Sequence, residues 1–131
     1  MDVSPTLHDA LRHYTQVERK LEEIGRRTDE ARKHDLVRCR RLLSEQVGHL
    51  GQIIDNDGRL ARHPDLQQDL NRLFAAMRYS LAIHQASWPA VRIDEDIIAY
   101  RQSAAQVQAK SRAFWGWCRD KLGVDRDRLD S

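Results

Sequence analysis

Residues 93–123, IDEDIIAYRQSAAQVQAKSRAFWGWCRDKLG, decide how the rest of the chain is read. Ile97, Ala104, Ser111 and Cys118 recur every seven residues, and Tyr100, Val107 and Phe114 repeat that interval three positions later. Positions i, i+3, i+4 and i+7 share one face of an α-helix, so the stretch predicts a helix over 94–122 with an apolar stripe along its length. Near its end Phe114, Trp115 and Trp117 fall within four positions. At about 100° per residue they spread, with Cys118, over an arc of about 160°. Either two neighbouring helices bury that arc, or one tryptophan is exposed and anchors a partner, tryptophan being prominent at interface centres. Tyr100, Val107, Phe114, Trp115 and Trp117 are therefore the candidate partner-binding residues.

Upstream, the same periodicity recurs three times. Ser4-Pro5 is a helix start, and Leu7, Tyr14 and Leu21 with Ala10, Val17, Ile24 and Ala31 make the heptad series of a helix expected over 5–32. Gly25 interrupts it at a cost of about 1 kcal/mol relative to alanine. A turn near 33–35 leads to Asp35, expected to cap a second helix over 36–60 whose seam is Leu36, Cys39, Leu43, Leu50 and Ile53. Ser44, Gly48 and Gly51 form a small-residue face on which a neighbouring backbone can approach closely. After the stop at 55–58, His63-Pro64 opens a third helix over 64–88, lined by Leu66, Leu70, Leu73, Phe74, Met77, Leu81 and Trp88. His84 shares that side, with Ser80, Ser87 or a water within the bundle as the expected hydrogen-bond partner. Trp88-Pro89 ends the helix, because a residue before proline is pushed out of the α region, and Asp94 is placed to cap the last helix. Residues 124–131 are polar and expected to form a flexible tail. The fold class is all-α, an antiparallel up-and-down four-helix bundle in one domain over 1–123.

Composition agrees with a few long helices. The 131 residues include only six glycines and three prolines, leaving little for turns, and 40% hydrophobic with 32% charged residues describe a globular chain. A net charge of +2 supplies no strong field towards nucleic acid or an anionic membrane. Residues 26–41 do carry a local charge of +4, but acids are mixed among the bases and no aromatic is interleaved to stack on a base. Nucleic acid is not an expected partner. The first residues lack a secretory pattern, and no run of about 18 apolar residues occurs, so the expectation is a cytoplasmic protein that does not enter a membrane. Cys39 and Cys118 sit on helical repeat positions without CxxC spacing and read as buried thiols.

The six histidines have no glutamate three residues before them, which removes the Glu-x-x-His pairs of a di-iron bundle. No serine or cysteine has the context of an activated nucleophile. No catalytic residue, cofactor or metal is expected. His49, beside Leu50 and Gly51, resembles the helical histidine phosphotransfer domains, although the His-x-Leu-Lys-Gly run of that family is missing.

Ala31-Arg32-Lys33-His34-Asp35-Leu36, followed by Leu42, Leu43, Leu50 and Ile53, is similar to the first hairpin of the flagellar type III export chaperones of the FliT and FlgN kind, over about residues 7–60. The resemblance implies a non-enzymatic cytoplasmic protein that binds an amphipathic helical segment of an export substrate, laid into an apolar groove. Displacement of the last helix is the expected way of uncovering that groove. The alternatives are a structural or homodimeric helical module, and a phosphotransfer-type bundle using His49.

Overall fold

The Ser4 hydroxyl accepts from the Leu7 N–H at 3.1 Å and Pro5 occupies the first position of α1 (Pro5–Gly25), as the sequence leads one to expect. The same hydroxyl donates to Asp57, whose other carboxylate oxygen accepts from the Leu60 N–H at 2.9 Å. Two helix caps are thus joined through one hydrogen bond. The computed structural model describes residues 3–129, and all the regular structure among them is helical. After α1 come α2 (Arg32–Asn56), the single turn α3 (Gly58–Ala61), α4 (Pro64–Ser87) and α5 (Ile97–Trp117). A 3-10 turn at Ala90–Arg92 links α4 to α5, which continues into a π-helical turn, Cys118–Leu122.

Several boundaries fall elsewhere than the periodicity suggests. α1 stops at Gly25 rather than near residue 32, and the loop after it is tied by Arg27, which donates to Asp29 at 2.6 Å and to Asp35 at 2.7 Å. Asp35 is thereby engaged by Arg27, and the cap of α2 is Ala31, which offers no side-chain bond. Asp94 does not cap the last helix either. Its carboxylate pairs with Arg32 and, at 2.9 Å, with Lys33, while Asp96 accepts from the Ala99 N–H at 3.0 Å and caps α5. Both aspartates expected at caps were drawn off by a cation from another segment, because a charge-assisted bond outweighs a cap bond to a neutral amide.

α1 packs on α2, α2 on α4 and α4 on α5. The larger core cluster draws on all four long helices, with Leu7, Leu11, Tyr14, Leu50, Met77 and Phe114 at its centre, and a smaller one gathers Ile24, Leu36, Cys39, Ile93 and Tyr100. Only one member of the small-residue face mediates close approach: a Cβ on Gly51 would stand 3.2 Å from the Phe74 ring, whereas Ser44 is exposed and Gly48 has open space beside it.

The expected flexible tail is instead folded back. Gly123 adopts φ +68°, a conformation that favours glycine, and the reversal buries Val124 and Leu129 against the main core. Apolar area at two positions and an arginine directed at α1 hold a segment whose composition alone reads as loose. Met1, Asp2, Asp130 and Ser131, included in the expected domain and tail, lie outside the described residues. No helix among the described residues is long and apolar enough to cross a membrane.

Candidate functional site

The stripe of α5 meets different surroundings along its length. At the C-terminal end Phe114 is fully buried, with its ring 5.2 Å from that of Trp115 and 5.9 Å from that of Phe74. Trp115 is only 6% exposed and packs on Tyr14 at 6.2 Å. Its indole N–H donates to Glu18 of α1 at 3.0 Å. Glu18 is itself buried, and its carboxylate also accepts from Ser111 at 2.6 Å and from Arg126 at 2.8 Å. Arg126, carried there by the Gly123 reversal, donates as well to Glu22 at 2.9 Å. This network closes the end of the molecule where α5, α1 and the C-terminal segment meet. Burial, reinforced by the neighbouring Glu18 carboxylate, pushes the Tyr14 phenol well above its ordinary pKa and keeps it neutral.

Towards the middle of α5 the covering is lost. Ala104, Val107 and Ser111 are only half-buried, and they face a cavity of about 600 Å³ that opens between α1 and α5. That size lies within the roughly 300–1,000 Å³ typical of ligand sites. The groove exists with α5 in place, without any displacement of the helix. Leu43, Met77, Leu81 and Val107 supply apolar wall, and Glu18, Arg112 and Arg126 lie towards the closed end. Of the five candidate partner-binding residues, Tyr100, Val107 and Trp115 line this cavity. Phe114 belongs to the core, and Trp117 packs half-buried against the same core.

The opposite end holds polar side chains among apolar ones. Tyr100 is nearly buried between the His84 ring at 5.4 Å and the Trp88 ring at 5.9 Å. His84 Nδ1 lies 2.7 Å from the Ser103 hydroxyl on α5, so its partner is across the helix interface and neither Ser80 nor Ser87. Burial, with the nearby Arg40 charge second, lowers the His84 pKa to about 4 and leaves the imidazole neutral at pH 7. Arg40 of α2 lines the same cavity and donates to the Trp88 carbonyl at 2.7 Å. No carboxylate among the described residues forms an ion pair with it, and desolvation lowers its pKa. Gln85, also a lining residue, has its amide nitrogen buried without a hydrogen-bond partner.

Sequence reasoning passed over Glu18 and Arg126, and took Arg40 as one charge of the basic run over 26–41. A signal for two of them exists: Arg40 interrupts the apolar series Leu36, Leu43, Val47, and Glu18 stands one heptad after Leu11. A charge on a buried stripe asks for a partner, and it is there that a site can form. Arg126 has no such local signal. Elsewhere the chemistry is quiet. Cys39 and Cys118 are free and buried, and burial pushes the Cys118 thiol up to about 12, which disfavours the reactive thiolate. His49 is exposed on α2. Among the described residues no cluster of His, Cys, Asp or Glu is arranged to hold a metal ion. Comparison with protein-family models, with curated proteins and with solved structures finds no match for this chain.

Proposed function

We propose that this is a non-enzymatic protein-binding helical domain that receives an amphipathic helix of its partner at the groove between α1 and α5. One observation carries the reading: α1, α2, α4 and α5 each pack on a sequence neighbour, yet the middle of α5 leaves an apolar cavity open beside α1. Apolar surface left accessible in a groove with a charged rim is the arrangement on which helix-in-groove recognition depends. The reading takes the four long helices as an antiparallel up-and-down bundle, and the succession of packed pairs supports it. Within it, the likeness of the first hairpin to the FliT and FlgN kind of export chaperone names the partner class: an aggregation-prone helical segment of an export substrate, held in the cytoplasm until export.

A photo-crosslinking amino acid at Gln108, beside the groove, is the direct test, with the same group at Tyr79 on the exposed side of α4 as the control. Cross-linking in native lysate is expected from position 108, to a different protein, and is expected to disappear when Ala104→Trp fills the groove. Cross-linking from position 79 alone, or persistence in the filled variant, would remove the groove from consideration. A cross-link to a second copy of the chain would instead support the homodimeric module.

A further inference from the structure

The mouth of the groove belongs to α1 and α5, but its floor comes from α2 and α4, and the floor is chemically distinct. Among the charged residues lining the cavity are five arginines, Arg26, Arg40, Arg101, Arg112 and Arg126, and two glutamates, Glu18 and Glu22. The lining charge is therefore +3 with His84 neutral. Both glutamates already accept from Arg126, so the remaining cations face the cavity without carboxylates lining it to match them. Of these, Arg26, Arg101 and Arg112 are exposed, whereas Arg40 is half-buried on the α2 stripe between Leu36 and Leu43. Its guanidinium has five N–H donors; it reaches the Trp88 carbonyl at 2.7 Å and the Tyr100 side chain, both uncharged. The unpaired Gln85 amide nitrogen belongs to the same lining. Buried and half-buried donors are ordinarily satisfied, and a desolvated cation is ordinarily paired. Here a cation without a carboxylate partner and an unpaired amide nitrogen share one cavity lining with the apolar walls of Leu81 and Val107.

We infer that the floor of this cavity is a binding site for a small amphiphilic acid, with its carboxylate on Arg40 and Gln85 and its hydrocarbon body along Leu43, Leu81 and Val107. Arginine suits the role because its planar fork can meet both carboxylate oxygens at once. The apolar body supplies affinity by burial and the carboxylate supplies selectivity, since an uncharged analogue of equal length leaves Arg40 as it was. This inference concerns the floor and does not require that a protein partner occupy the mouth.

Octanoate and octan-1-ol share one chain length and differ in the charged head, so they separate the two contributions. Binding is read from the Trp115 indole N–H resonance, because that ring lines the cavity, and confirmed by calorimetry on the full chain. Octanoate is expected to bind about tenfold more tightly than octan-1-ol, the difference a charge-assisted hydrogen bond makes. Arg40→Gln should abolish that preference while leaving octan-1-ol binding unchanged, and Ala104→Phe should weaken both by filling the cavity. Equal affinity of the two ligands for the unmodified protein would overturn the inference, with no variant needed. So would a preference for octanoate that survives Arg40→Gln. The photo-crosslinking at position 108 is scored separately, so loss of one result leaves the other standing.

Discussion

Glu18 and Arg40 are both charged residues on apolar helix stripes, but the chain treats them oppositely. Glu18 receives an indole N–H, a hydroxyl and a guanidinium from three different residues, so its burial is compensated internally. Arg40 meets a backbone carbonyl and the neighbouring Tyr100, with no described carboxylate in ion-pair contact. The difference separates two uses of buried charge. A satisfied network locks elements together, here α1, α5 and the C-terminal segment, and removing one member strands the others. A cation without a counter-ion at a cavity is compensated by neutral groups alone and can still accept an anionic partner.

The strongest way to test that contrast is to weaken the closed end. Phe114→Ala removes a fully buried ring from the main core and should cost about 4 kcal/mol. Denaturant unfolding would show it, and a loss near zero would mean that the aromatic end is not the closed one. Next, Glu18→Ala leaves the Trp115 indole and Arg126 without their shared acceptor, at an expected cost of about 3 kcal/mol. Arg126 can still turn to Glu22, which keeps the estimate at the lower end for a broken buried pair. Amide exchange in residues 124–129 should rise in that variant, and unchanged protection would show that the segment is held by Val124 and Leu129 alone.

At the other end, His84 links stability to pH. Its folded pKa of about 4 lies below the ordinary 6.5, chiefly from burial. The folded state therefore favours the neutral ring, and the unfolded chain takes up the proton first. The contribution is complete above pH 6.5 and is lost as the pH falls towards 4, with a total on the order of 2 kcal/mol once relaxation is allowed for. Stability curves of the unmodified protein and His84→Gln should converge over that interval. Parallel curves would place the titrating group elsewhere. Arg40→Met is expected to change stability by no more than about 1 kcal/mol, and in the stabilising direction, because it removes a desolvated cation without stranding a partner carboxylate. A large loss would reveal that Arg40 is a structural counterpart of Glu18 after all. The smallest effect is assigned to Val107→Ala, about 0.5 kcal/mol, since a side chain facing an open cavity leaves little packing to lose. A cost comparable to that of Phe114→Ala would argue that the groove is closed in solution.

The periodicity of seven, the Ser4-Pro5 start and the Trp88-Pro89 stop were enough to determine that this chain is helical and roughly where its long helices lie. Those are local properties, governed by which residues share a face within a few turns and by backbone restrictions at proline and at caps. Tyr100, Val107, Phe114, Trp115 and Trp117 were legible as one stripe and its edge on one helix, but not that three of them line a cavity while Phe114 and Trp117 pack on the core. What surrounds them was not. The opening between α1 and α5, the return of residues 124–129, the Ser103 partner of His84 and the removal of Asp94 to Arg32 and Lys33 are all settled between segments distant in the chain. Glu18 and Arg126 are 108 residues apart, and nothing in either neighbourhood announces the other. A polar residue on an apolar stripe shows in the sequence that a compensating group is needed. Only the packing of distant elements decides whether the chain supplies it, as for Glu18, or leaves the charge without a counter-ion beside a cavity, as for Arg40.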